Sequence, residues 1–273
     1  MTDQAERFDR FASGYEQWWA PVLAPSARRL LELLDGDVAA GASNLLDVGV
    51  GTGNLAIPAL ARWPSVRVTG VDPSREMIGA VETLVGDRFP RGGDRFRSEV
   101  AFAAELPFAD ATFDAVMSSF VLQLVPSRPK ALREIRRVLR PGGRFAYVTW
   151  LVDERAFAPD RIFDQLLDEA GFEDAIDPPR SGDIPSVERA ASELRRAGFR
   201  DVEASGAMFD HAYTVDGYIS FLTKFDEEAL FEEMGRTERR RFLANFRERL
   251  MTLGPDQLQF RVPIVYASGR RSR

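Results

Sequence analysis

The chain has 273 residues, 45% of them hydrophobic, with 36 Lys plus Arg against 42 Asp plus Glu and a net charge of −6. That length suits one α/β domain carrying an appended cover, and the acidic balance argues against general attraction to nucleic acid. The absence of cysteine excludes disulfides, a thiolate nucleophile and zinc–thiolate clusters, and the single histidine, His211, leaves little for a histidine metal site.

Taken in order, the chain opens on "MTDQAERFDR", which lacks a basic-then-apolar targeting signal. No apolar run approaches a membrane span, so a cytoplasmic protein is expected. Residues 1–35 read as an N-terminal helical cover, in which Phe8, Phe11, Tyr15, Trp18 and Trp19 crowd into a short span. A core over 44–150 then alternates strands with amphipathic helices, which predicts a parallel sheet covered on both faces. The strands are expected at Asn44–Val50, Val66–Asp72, Phe96–Phe102, Phe113–Val121 and Arg144–Trp150. A helix opens at Gly53, with Pro58 tolerated about one turn in, and others follow at Ser74–Gly86 and Ser127–Leu139, the last stopped by "RPGGR".

Beyond Trp150 the texture changes. Ala158–Ala170 and Ser186–Ala197 read as helices, with a Pro/Gly/Asp-rich loop at Asp174–Ile184 between them. Strands at Asp201–Tyr213 and Arg261–Gly269 enclose a charged helical stretch, 215–255, which reads as an inserted lid within a single domain spanning 1–273.

The stretch "NLLDVGVGTGN", Asn44–Asn54, ends a strand in three glycines spaced two apart. Its G-x-G-x-G pattern places Asn54 where a dinucleotide fingerprint requires glycine, and it lacks the Gly-Lys-Ser/Thr ending of a triphosphate loop. What remains is Asp47 before the turn and Asp72 at the end of the next strand, where a carboxylate can accept ribose hydroxyls. An acidic rim without a phosphate grip suits a cationic nucleoside. Asp72 also reads as a helix cap in "D-P-S".

With "LLDVGVGTG" at Leu45–Gly53, "GVDPSREMI" at Gly70–Ile78, "AAELPFADATFDAVMSSFVLQLV" at Ala103–Val125 and "ALREIRRVLRPGGRFAYVTW" at Ala131–Trp150, the chain resembles the class I S-adenosylmethionine-dependent methyltransferases, nearest to the ubiquinone/menaquinone-biosynthesis-like small-molecule group. The resemblance covers about the first 150 residues in order and holds beyond them only in outline. It implies a Rossmann-like seven-stranded sheet of order 3-2-1-4-5-7-6 with the last strand antiparallel. It also implies a cofactor site in which Gly49, Gly51 and Gly53 admit the methionine moiety to the backbone, Asp47 faces its ammonium, Asp72 and Pro73 border the ribose, and Met77 covers the adenine. Relatives carry a Gly-Asp pair ahead of the "A-x-x-L-P-F" element. Here Ala101 and Phe102 stand instead, which leaves the adenine to backbone groups near Ala103, to Phe102 or to Glu105.

Methyl transfer from a sulfonium asks mainly for positioning and exclusion of water. In such enzymes the loop after the fourth strand faces the methyl, so Ser119 is expected at the cofactor and Phe120 and Gln123 at the acceptor. The N-terminal segment would fold over the cofactor, bringing Tyr15 to it and Trp19 to the acceptor. Trp150, at the carboxyl end of the fifth strand, is a further acceptor contact. Gln123 and His211 are the candidates for catalytic assistance, although Gln123 cannot take a proton and His211 also reads as an ordinary histidine. Together these give a monomeric or homodimeric methyltransferase using S-adenosylmethionine on a small planar or apolar acceptor, with no metal and no nucleic-acid partner. An RNA or protein methyltransferase and a non-catalytic cofactor-binding protein remain as alternatives.

Overall fold

The computed structural model describes residues 12, 14–90, 93–172 and 182–272. Phe8, Phe11 and most of the loop expected at Asp174–Ile184 lie outside the described residues. The chain forms two compact units: the first runs to Val152 and adds Gly182–Ala207 and the segment from Ile264, and the second is Asp153–Ser181 and Met208–Pro263.

The first unit begins with α1 (Ala20–Glu32) and α2 (Asp35–Ala39), then alternates β1 (Asn44–Val48), α3 (Ala56–Arg62), β2 (Arg67–Asp72), α4 (Arg75–Arg88), β3 (Phe96–Val100), β4 (Phe113–Ser119), α5 (Arg128–Val138) and β5 (Leu139–Trp150). After α6 (Ala158–Ala170) come α7 (Val187–Arg196), β6 (Phe199–Ala212), α8 (Val215–Phe221), α9 (Glu228–Glu233), α10 (Arg236–Met251) and β7 (Gln259–Arg271). The sheet order is β3-β2-β1-β4-β5-β7-β6, parallel through β5, with β7 antiparallel to β5. This is the order expected. In β1, Leu45, Leu46, Asp47 and Val48 are all buried, as a central parallel strand requires. One core joins Leu46, Val116, Phe145 and Tyr147 of the sheet to Leu132 and Ile135 of α5 and to Ala190 and Leu194 of α7.

Three local expectations change. The helix after the glycines starts at Ala56, not Gly53, so Pro58 is its third residue, where an amide N–H has no intrahelical partner to lose. The "RPGGR" segment does not stop α5 as a loop. It lies inside β5, where pairing jumps from Phe113↔Leu139 to Ala115↔Arg144 and residues 140–143 bulge out, with Gly142 at φ 81°. The cap of α4 is Ser74, whose hydroxyl accepts the Met77 N–H at 3.1 Å, and not Asp72.

In the second unit an aromatic core forms within the helices. Phe163 of α6 meets Phe231, Phe242 and Phe246 with ring centroids 5.5–6.0 Å apart, and Phe242, Phe246 and Leu250 form the buried stripe of the charged helix α10. The Arg249 guanidinium donates to both carboxylate oxygens of Glu169. Among the described residues, no helix is long and apolar enough to cross a membrane.

Two of the motifs in the first unit turn out to be partners. Glu134 accepts the Leu106 N–H at 3.0 Å. Arg137, one turn on, donates to the carbonyls of Leu106 (3.0 Å) and Phe108 (2.7 Å) and to Glu134 and Asp110. The "E-I-R-R" of α5 therefore sews down the "E-L-P-F" loop between β3 and β4, and the paired guanidinium holds the Glu134 carboxyl below its ordinary range. Arg137→Ala strands two partly buried carbonyls, so we expect a loss of about 2–3 kcal/mol in urea-unfolding stability. Amide exchange should quicken at residues 106–110, while unchanged stability would reduce the clasp to a surface ion pair.

Candidate functional site

The turn from β1 to α3 is built on three left-handed residues: Gly49 (φ 75°), Gly51 (φ 52°) and Gly53 (φ 97°). They have different reasons. A Cβ on Gly49 would lie 2.2 Å from Val121 Cγ2, and one on Gly53 would lie 2.9 Å from Ile57 Cδ1 and 3.0 Å from Val81 Cγ2. The fold's own packing therefore demands both. A Cβ on Gly51 would meet only Tyr15 Cε1, at 3.9 Å, so this position opens onto a small cavity rather than onto core. The turn is also pinned from β2. The Val71 carbonyl accepts the N–H groups of both Gly49 (2.8 Å) and Val50 (2.9 Å), and Gly70 lets Val50 approach, since a Cβ there would lie 2.8 Å from Val50 Cγ2.

Two carboxylates border this turn. Asp72 accepts the Gly51 N–H at 3.0 Å through one oxygen and the Ser74 N–H at 3.0 Å through the other. Asp47 lines the cavity with Tyr15, Gly49, Gly51, Thr52, Asn54 and Ser119. It is 1% exposed and neither oxygen has a hydrogen-bond partner. Burial pushes its carboxyl up to about 8; the Ala56 N–H of the first turn of α3 pulls it back, and the Asp72 charge raises it further. Burial followed by the Asp72 charge likewise raises the Tyr15 phenol, which stays neutral.

At the end of β4, Phe120 adopts φ 55°, a left-handed conformation that strains a bulky residue, and its ring lies 4.3 Å from that of Trp150. No sequence pattern marked this strain. Gln123, expected to face an acceptor, is engaged within the protein: its amide donates to the Phe120 carbonyl at 2.7 Å and its oxygen accepts from Thr149. It holds the turn after β4. Beyond β3, Phe102 is 42% exposed, and a tight turn from Phe102 to Glu105 closes with a 2.9 Å hydrogen bond. Ala103 lies within that turn and Pro73 follows Asp72. Met77, expected over the adenine, is buried among core residues. Trp19 is partly buried at the start of α1.

The turn, Asp47, Asp72, Tyr15, Phe102, Ser119, Phe120, Gln123 and Trp150 all belong to the first unit, whereas His211 belongs to the second. His211 lies edge-on to Tyr213 with centroids 4.5 Å apart, and burial lowers its pKa against the opposing charge of Asp210, so it is neutral near pH 7. Among the described residues, no cluster of His, Cys, Asp or Glu is arranged to hold a metal ion.

Residues 46–147 match a family model described as a methyltransferase domain. A ubiquinone/menaquinone biosynthesis C-methyltransferase from Paracoccus denitrificans is 31% identical over 210 residues, 72% of this chain and 82% of that protein. A malonyl-[acyl-carrier protein] O-methyltransferase from Geobacter sulfurreducens is 33% identical over 72% of this chain and 69% of its own length. In fold, the chain is similar to phosphoethanolamine N-methyltransferase 2 of Haemonchus contortus, solved with S-adenosyl-L-methionine. The TM-score is 0.54 at 18% identity, over 91% of this chain and 53% of that one.

The orphaned carboxyl has a measurable signature. Its folded pKa is raised, so the ligand-free protein loses stability as pH climbs from about 4, where the unfolded carboxyl ionises, to about 8, where the folded one does. Asp47→Asn removes that dependence. In thermal melts the variant should therefore gain on the wild type steadily between these pH values and keep a constant lead above them. Parallel melting-temperature curves would show that Asp47 is already ionised in the ligand-free protein.

Proposed function

Since the chain belongs to the class I S-adenosylmethionine-dependent methyltransferases of the ubiquinone/menaquinone-biosynthesis-like group, we propose that it moves the cofactor's methyl group to a small planar or apolar organic acceptor, with the β1–α3 turn as the cofactor seat. The observation that carries this reading is the buried, unpartnered Asp47 beside a glycine turn that is open at Gly51. When bound, the cofactor supplies a sulfonium methyl open to in-line displacement. The protein's part is to bind, orient and exclude water.

Asp47 would face the ammonium of the methionine moiety, with the backbone at Gly49 and Gly51 lying along that moiety. Asp72, held at the end of β2 by the Gly51 and Ser74 N–H groups, would accept the ribose hydroxyls. The exposed Phe102 ring supplies an apolar face for adenine where an acid is missing, with the turn to Glu105 beside it. Tyr15 would cover the cofactor from the N-terminal side, and Ser119 would stand near the methyl. The paired rings of Phe120 and Trp150 support a planar or apolar acceptor, in keeping with the quinone-pathway name of the Paracoccus relative. Gln123 positions this turn instead of touching the acceptor.

Calorimetry should show binding of S-adenosylmethionine and S-adenosylhomocysteine but not NAD. Asp72→Ala should weaken that binding by about 1.5–3 kcal/mol through loss of charge-assisted hydrogen bonds; unchanged affinity would remove Asp72 from the ribose. In a radiolabelled-methyl assay on phenols, quinones, amines, total RNA and a protein lysate in parallel, label should enter a small molecule, and Trp150→Ala should raise the acceptor's KM more than the cofactor's. Label entering only RNA or protein would overturn the acceptor class.

A further inference from the structure

Asp47 raises a question of charge that the cofactor reading leaves open. Its carboxyl sits in a cavity lined by Tyr15, which precedes α1, by Leu23 of α1, by residues of the 49–55 turn, and by Ser119 of β4. The charged or titratable neighbours are the neutral Tyr15 phenol and Asp72, a like charge. No lysine, arginine or histidine lines the cavity among the described residues. An ionised carboxylate there would be buried without a counter-charge, eased only by the Ala56 N–H and with no hydrogen bond closed to either oxygen, which is costly enough that such a group takes up a proton instead.

Resting on the assignment of this turn to S-adenosylmethionine, we propose that Asp47 is uncharged in the cofactor-free protein and gives up its proton to solvent when the cofactor's ammonium arrives, so that cofactor capture and proton release are one event. The ammonium supplies the counter-charge that the protein withholds. Neutral nucleosides cannot ionise Asp47 and gain nothing from it, so the same step selects for a ligand bearing the amino-acid cation. The raised carboxyl, at about 8, places the exchange in the neutral range.

The test is titration calorimetry near pH 6.5, well below the usual range of an α-amino group, in two buffers of different ionisation enthalpy. S-adenosylmethionine and S-adenosylhomocysteine should each release about one proton, and their Kd should fall roughly tenfold per pH unit between pH 6 and 7. 5′-Methylthioadenosine, which lacks the amino-acid portion, should release none, and Asp47→Asn should abolish the release. Where that variant binds too weakly to titrate, Asp72→Asn provides the check: removing the like charge should move the pH dependence of the Kd to lower pH. Tight binding of S-adenosylmethionine with a buffer-independent enthalpy and a pH-flat Kd overturns the proposal and leaves the cofactor assignment standing. So does equal release with 5′-methylthioadenosine. Failure of both S-adenosyl ligands to bind would instead remove the cofactor assignment itself.

Discussion

The carboxyl edge of the sheet depends on one constraint: β1 must reverse into α3 within residues 49–55 while both elements stay buried. An ordinary side chain cannot make that turn, because Val121 stands where a Cβ of residue 49 would go and Ile57 and Val81 stand where one of residue 53 would go. The glycines remove the obstruction but leave a flexible backbone. Its rigidity is restored from the neighbouring strand, by the Val71 carbonyl that takes two amide hydrogens and the Asp72 carboxylate that takes a third. Asp47 inherits its situation from the same constraint. It lies in register with Gly70 of β2 and Met117 of β4, on the central strand of a parallel sheet, and cannot swing out to solvent. Its unsatisfied carboxyl is thus a fixed feature of the fold that a ligand must answer.

Much of this was legible in the sequence because the signals are local. Alternating apolar runs and amphipathic helices gave the parallel sheet, the glycine spacing gave the turn, and family resemblance supplied the strand order. What escaped was long-range. The Asp114 carboxylate accepts the Ser43 and Asn44 N–H groups from across 70 residues of sequence and anchors the start of β1. Only the proximity of Arg137 to the Leu106 and Phe108 carbonyls reveals a clasp. The bulge at residues 140–143 was hidden because Pro-Gly-Gly predicts an interruption without saying whether the chain leaves the strand or rejoins it.

Site residues divide along the same line. Acids at strand ends and glycines in a turn declare themselves in sequence. Residues whose meaning depends on conformation do not. Phe120 carries no pattern that announces a left-handed backbone, and Gln123 advertises hydrogen-bonding capacity without showing that Phe120 and Thr149 have already taken it. Phe102 reads as a departure from relatives, and only the structure reveals that its ring is exposed.

The geometry also argues against a dinucleotide in this strand–glycine–helix unit. In a dinucleotide site the pyrophosphate rests on free amides at the helix N-terminus, where the helix dipole favours negative charge. Here the protein's own carboxyl occupies that field, since the Ala56 N–H in the first turn of α3 is the group that lowers the Asp47 pKa. A phosphate entering the turn would meet Asp47 and Asp72 and find no lysine or arginine among the residues lining the cavity. Asp72 repels an anion and attracts a cation, and only a cation supplies the counter-charge that lets Asp47 ionise, so with little screening in a buried site the sign of the ligand's charge separates the two ligand classes more firmly than the glycine pattern does.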